Sequence, residues 1–134
     1  MRVTPTLLKT VLFLALFKSV SAQEIEWQNA IGGSHMEKMK AISQTTDGGY
    51  ICGGFTFSNI SGDKTEDNVG GSDYWILKLD SVGNIQWQNA LGGNDNDELD
   101  ALVQTADGGY FCAGNSRSDA SGDKSEDNIG LDNF

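Results

Sequence analysis

The chain has 134 residues and carries 19 Asp and Glu against 9 Lys and Arg, a net charge of −10 at pH 7. An acidic surface repels phosphate backbones, and its basic residues are scattered instead of clustered, so nucleic-acid binding is excluded as an expected function. Divalent cations are the partners such a surface attracts.

Residues 1–22 read as an export signal peptide. Arg2 and Lys9 are basic, residues 11–17 are an unbroken apolar run, and Val20-Ser21-Ala22 offers small residues for cleavage. Seven apolar residues between Lys9 and Lys18 fall short of the roughly 20 that cross a bilayer, and no cysteine follows to accept a lipid. The expectation is an exported chain without a membrane span, secreted or at the cell surface, starting at Gln23. Loss of Arg2, Lys9 and Lys18, with no acid, moves the charge from −10 to −13.

Residues 23–134 form a β-repeat region. Residues 27–74 and 87–134 align without a gap at 24 of 48 positions, so one unit of 60 residues is written twice, as repeat 1 (27–86) and a truncated repeat 2 (87–134). The mature chain opens with an expected lone strand at 26–31. Residues 34–40 and 94–100 differ completely and are expected to be a variable loop. A first strand at 41–45 is ended by Asp47-Gly48-Gly49, where paired glycines supply the positive φ values of a tight hairpin, and the chain reverses into a second strand at 50–54. Residues 58–72, rich in Gly, Ser, Asp and Asn, make a surface loop. Residues 73–80 are nearly continuous in apolar side chains, which suits a strand covered on both faces. After a turn at 80–84, strand 85–91 puts Ile85, Trp87, Asn89 and Leu91 on one face and Gln86, Gln88 and Ala90 on the other.

Four antiparallel strands per repeat at this period predict an all-β fold, a β-propeller-like repeat array of four-stranded antiparallel blades, incomplete here with fewer than two full blades. Asp132-Asn133-Phe134 matches Ser72-Asp73-Tyr74, so repeat 2 stops where its third strand is due. Arrays of this kind need several units to bury their faces, and the expectation is the N-terminal part of a longer parent chain with further repeats.

The motifs Trp-Gln-Asn-Ala-(Ile/Leu)-Gly-Gly, Gln-Thr-x-Asp-Gly-Gly-Tyr and Asp-Tyr-Trp-Ile-Leu-Lys-Leu-Asp-x-x-Gly-Asn resemble the propeller-like repeats of secreted and cell-surface proteins in the Bacteroidota. The resemblance implies an extracellular multi-blade protein, often with a C-terminal sorting domain for the type IX secretion route. Relatives of this kind carry labels such as lipoprotein, bulb-type lectin and endoglucanase. The first needs a cysteine at the cleavage site and the second a Gln-x-Asp-x-Asn-x-Val-x-Tyr motif, and this chain has neither.

The strongest candidate for chemistry is the polar loop, Ser61-Gly62-Asp63-Lys64-Thr65-Glu66-Asp67-Asn68, which returns as Ser121-Gly122-Asp123-Lys124-Ser125-Glu126-Asp127-Asn128. Calcium takes six to eight oxygen ligands, and Asp63, Asp67 and Asn68 with Asp123, Asp127 and Asn128 are the residues that would supply them. The spacing is not that of an EF-hand, and Lys64 and Lys124 place a positive charge inside the site. The competing reading is a solvated loop repeated by duplication.

Other chemistry has less to rest on. Asp95, Asp97, Glu98 and Asp100 could supply a glycosidase pair, but their counterparts are His35, Glu37, Lys38 and Lys40, and solvated acids explain them. His35 has no nucleophile motif around it. Trp27, Trp75, Trp87, Tyr50 and Tyr110 could stack on sugars or fill the space between blades, and Tyr50 and Tyr110 are expected to brace the glycine turn. Cys52 and Cys112 occupy equivalent places about one repeat apart, too far for a disulfide, and read as buried free thiols.

Two functions follow. The first is an exported, non-enzymatic binding or adhesion scaffold presenting loops to an extracellular ligand, a glycan or a protein. The second is a carbohydrate-active protein, a hydrolase-associated or lectin-like sugar-binding module.

Overall fold

A computed structural model describes residues 24–130. The expected export signal and the residues after 130 lie outside the described part. The described chain is all-β, with six strands: β1 (Glu37–Gln44), β2 (Tyr50–Thr56), β3 (Asp73–Leu79), β4 (Ile85–Leu91), β5 (Asp97–Gln104) and β6 (Tyr110–Ser116). They form a four-stranded antiparallel meander, β1-β2-β3-β4, and a two-stranded sheet, β5-β6. No helix among the described residues is long and apolar enough to cross a membrane.

Three hairpin turns share one design. Thr45 N–H donates to Gly49 O and Gly48 N–H to Thr45 O, both at 2.9 Å, and the same pair of bonds closes residues 80–84 and 105–109. This is a three-residue loop whose last residue must be left-handed, and Gly48, Gly83 and Gly108 occupy that place at φ +83°, +85° and +89°. The expectation that both glycines of each pair adopt positive φ is corrected, since Gly49 and Gly109 do not. Gly49 is needed for a different reason: a Cβ there would strike the Leu79 carbonyl and the Lys78 ammonium.

β3 is covered on both faces, as its apolar run requires. Cys52, Trp75, Leu77 and Leu79 form one cluster, packed against Trp27, Ile31, Tyr50 and Ile85. On the opposite face Ile51 and Ile76 meet Leu99 of β5, with Leu102 and Cys112 beside them. The second sheet thus lies face to face with the first, and the core is the seam between them.

Several sequence expectations change. Residues 26–31 are not a strand; they lie against the first sheet through Trp27 and through an Asn29 Nδ2 bond of 2.8 Å to Gly83 O, without a ladder partner. The first strand of each repeat begins earlier than expected, at Glu37 and Asp97, so 34–40 and 94–100 are not wholly loop. A bulge makes this possible, because pairing with the second strand slips between Met39 and Ala41 and again between Leu99 and Ala101. Lys40 and Asp100 are the extra residues. A third bulge, at Lys78/Leu79, pairs Ile85 with Leu79 but Trp87 with Lys78. Ile85 and Trp87 therefore belong to opposite faces, against the simple alternation read from the sequence.

Candidate functional site

The polar segments that follow β2 and β6 are built alike. In the first, Ser61 and Lys64 exchange backbone bonds of 3.2 and 3.0 Å around Gly62, held at φ +56°. In the second, Ser121 and Lys124 do so at 3.0 and 2.9 Å around Gly122 at +57°. Each turn clasps the Gly-Gly that precedes the first strand of its repeat. Asp63 N–H donates to Gly32 O at 2.9 Å and Asp63 Oδ2 accepts from Gly32 N–H at 3.1 Å. Asp123 and Gly92 repeat this at 2.9 and 3.3 Å.

Two serines complete each clasp. Ser61 Oγ accepts from Ser34 N–H and Ser121 Oγ from Asn94 N–H, both at 2.9 Å. Ser58 Oγ accepts from His35 N–H at 2.8 Å and Ser118 Oγ from Asp95 N–H at 2.9 Å. A Cβ on Gly33 would come within 2.5 Å of Ser58 Oγ, and one on Gly93 within 2.5 Å of Ser118 Cβ. The Trp-Gln-Asn-Ala-x-Gly-Gly and Ser-Gly-Asp-Lys motifs recur together because each is the other's packing surface.

The six candidate calcium ligands therefore have defined places. Asp63 and Asp123 cap glycine amides, while Asp67 Oδ1 accepts from Ile60 N–H at 2.9 Å and Asp127 Oδ1 from Ala120 N–H at 3.0 Å. Asn68 Nδ2 donates to Thr56 O at 2.7 Å, and Asn128 Oδ1 accepts the Lys124 ammonium at 2.6 Å. Lys64 is 1% exposed and its ammonium donates to Glu66 O; the Lys124 ammonium donates to Ser118 O. Burial pushes the Lys64 pKa down, opposed by the negative charge of Asp73, Glu66, Asp67 and Glu37. Among the described residues no three His, Cys, Asp or Glu side chains gather as a metal-holding group. Each loop has a lysine ammonium as its own internal cation.

One acid of the 95–100 group is not solvated, contrary to the sequence reading. Asp97 is 4% exposed, and its Oδ2 accepts from Gly93 N–H at 2.7 Å and Ser118 Oγ at 2.8 Å. Its counterpart Glu37 accepts from Ser58 Oγ and, at 3.2 Å, from Thr56 Oγ1. An acid that locks the loop serine is thus part of the repeated unit, one that sequence reasoning missed although both positions carry a carboxylate. Asp73 is also buried: its Oδ2 accepts from Val69 N–H at 2.6 Å, Oδ1 has no hydrogen-bond partner, and desolvation raises its pKa. Asp100 pairs with Lys40 at 2.9 Å, while Asp95 Oδ1 accepts from Asn96 N–H on the surface.

The glycine turn holds a second buried lysine. Lys78 is 3% exposed, and its ammonium reaches Asp47 Oδ2 and Leu79 O at 2.9 Å and Gln86 Oε1 at 3.0 Å. Asp47 Oδ1 also accepts from Thr45 Oγ1 at 2.5 Å and Gly49 N–H at 3.0 Å. Together these hold the Asp47 carboxyl well below the usual carboxylate range, the Thr45 hydroxyl contributing most.

The aromatic residues fill seams. Trp27 meets Tyr50 edge to face at 5.7 Å, and Trp87 meets Tyr110 likewise at 5.5 Å. Trp75 is 5% exposed and donates to Gln88 Oε1 at 2.9 Å. Both cysteines are free, Cys52 buried and Cys112 half-buried, and burial raises both thiol pKa values. His35 Nδ1 lies 2.9 Å from Ser34 Oγ on an exposed surface.

A polar notch of about 230 Å³ lies at the open end of the β5-β6 hairpin, lined by Asn96, Glu98, Asn115 and Arg117. The equivalent residues of the first repeat are Met36, Lys38, Phe55 and Phe57, where Phe55 and Phe57 meet edge to face at 6.0 Å. All four positions change character within a unit that is otherwise half identical.

Comparison with models of protein families, with curated proteins and with solved structures gives no match for this chain.

Proposed function

We propose that the chain is a non-enzymatic, exported binding scaffold built from β-propeller-like repeats of the kind found in secreted and cell-surface Bacteroidota proteins. The loop clasp supports this reading: its bonds to the Gly-Gly segment are rebuilt in both copies, and the loop's Asp and Ser side chains serve to seat it on that segment, just before the first strand of the repeat. Such a unit repeats a rigid frame and varies the surface around it. A glycan array, a search for bound extracellular proteins and a polysaccharide hydrolysis assay on the full-length protein test it. Release of reducing sugar that a single Asp or Glu substitution abolishes would overturn it.

The notch of Asn96, Glu98, Asn115 and Arg117 favours a second reading, a lectin-like sugar-binding module. Amide, carboxylate and guanidinium groups around a small hollow match the hydroxyls of a polyol. Glycan binding lost in Glu98→Ala and Asn115→Ala variants of unchanged stability would establish that reading over protein adhesion.

Calcium held by the residues 63, 67 and 68 and their counterparts 123, 127 and 128 would have to displace a lysine ammonium and the amide bonds of the clasp. Thermal unfolding with and without chelator tests it. The expected midpoint is the same in both, and a chelator effect that disappears in an Asp63→Ala, Asp123→Ala double variant would establish the ion.

A further inference from the structure

We propose that the edge of β6 that faces away from β5 is an acceptor for one kind of occupant, an extended strand of the β3 pattern (Asp, aromatic, Trp, Ile, Leu, Lys, Leu) from a repeat of this type. The inference rests on the repeat reading above and deepens it. Among the described residues β6 is hydrogen-bonded to β5 alone, whereas its counterpart β2 lies between β1 and β3. An unpaired edge presents a row of N–H and C=O groups that a further strand can satisfy, with side-chain pockets choosing which strand. A second copy of the described chain cannot donate its own β3, which is already central in a four-stranded sheet.

The first sheet shows the register that the occupant must take. There Tyr50 faces Leu79, Ile51 faces Lys78, Cys52 faces Leu77 and Gly54 faces Trp75. In the second sheet Tyr110, Phe111, Cys112 and Gly114 are the equivalents, so they await Leu, Lys, Leu and Trp in that order.

Two features of the second turn acquire a further role in its counterpart. Asp107 is set up as Asp47 is, its Oδ1 accepting from Thr105 Oγ1 at 2.5 Å and Gly109 N–H at 3.1 Å. In the first turn that same carboxylate also holds the β3 lysine, Lys78. Gly109 is the second feature. Its φ is not positive, so the backbone does not demand glycine. A Cβ there would approach only Thr105 Oγ1 and Asp107 Oδ1, at 3.1 and 3.3 Å, whereas at Gly49 it would strike the carbonyl and ammonium of the docked β3. Glycine at 109 keeps open the place where a strand's Leu carbonyl and Lys ammonium would sit.

The test is titration of the full chain with a labelled peptide of residues 72–80, Ser-Asp-Tyr-Trp-Ile-Leu-Lys-Leu-Asp. Saturable binding is expected, weakened about tenfold when the peptide lysine becomes Glu, as the loss of a charge-assisted hydrogen bond requires. That loss should be recovered by the Glu peptide on an Asp107→Lys chain. A Gly109→Val chain that keeps its β circular-dichroism spectrum should not bind the peptide. Absence of saturable binding to a chain with an intact β spectrum, equal binding of a scrambled peptide, or indifference to the charge exchange overturns the edge proposal and leaves the loop-scaffold reading standing. A chain without a β spectrum would overturn both.

Discussion

Ile51 is fully buried and Phe111, sixty residues on, is 64% exposed, though each follows the tyrosine of the same hairpin design. The turns, bulges and loop clasps of the two repeats match closely, yet among the described residues the first hairpin has β3 on its edge and β5 across its face, and the second has only the first sheet. Backbone geometry here is set locally by Gly, Asp and Thr, while burial is set by which neighbours are present. That separates the residues whose role travels with the unit from those whose role depends on place.

The contrast is broken most strongly in the core. Ile51→Ala should cost about 2–5 kcal/mol, and Phe111→Ala should stay within about 0.5 kcal/mol, measured by urea unfolding. If both cost alike, the second hairpin is covered in solution. Next come the glycines. Gly49→Ala should destabilise by about 1–3 kcal/mol through overlap with the Leu79 carbonyl, and Gly109→Ala by much less, whereas Gly48→Ala and Gly108→Ala, both at positive φ, should each cost about 1 kcal/mol. A turn that is truly local predicts that last equality.

Titration sharpens the same comparison. Asp47 and Asp107 both have pKa values lowered by hydrogen bonds, from Thr45 first and then Lys78 and Gly49 in one case, and from Thr105 and Gly109 in the other. A lowered carboxylate contributes stability that is present above its unfolded value, near 4, and is lost as pH falls through the folded value. The unfolding midpoint should therefore drop below about pH 4, and Asp47→Asn should flatten that drop more than Asp107→Asn. Asp73 has the opposite sign. Its raised pKa makes the folded state bind the proton more readily, so its unfavourable contribution grows as pH rises through the ordinary carboxylate range. Asp73→Asn should gain more at pH 7 than at pH 3. The smallest effect belongs to Lys40 and Asp100, partly exposed at 29% and 45%: a double-mutant cycle should find weak coupling that high salt removes.

Much of the fold was legible because its signals are short-range. Asp47-Gly48-Gly49 marks a turn wherever it stands, and the apolar run of β3 announces burial on both faces. The bulges were hidden, since an extra residue in a ladder is a matter of counting against the partner strand, and Lys40 and Asp100 carry no mark of it. Residues 26–31 resemble β4 in sequence and predict a strand, but a strand exists only with a ladder partner. In the candidate site, the burial of Asp97 depends on Ser118, 21 residues away, so its charge alone suggested solvent. Lys64 reads in the sequence as an obstacle to a metal; its role as the loop's own cation depends on the fold, which sets its ammonium against the Glu66 carbonyl.

Lys40 and Asp100 are the bulge residues of equivalent strands and face each other across the seam, 2.9 Å apart. Two first-repeat hairpins set side by side would oppose lysine to lysine, and two second-repeat hairpins aspartate to aspartate. The copies are therefore not interchangeable: first beside second attracts, while either beside itself repels. The frame repeats while this contact does not, and a tandem array made by copying one repeat verbatim would keep the shape of each unit while setting like charges against each other at every such seam.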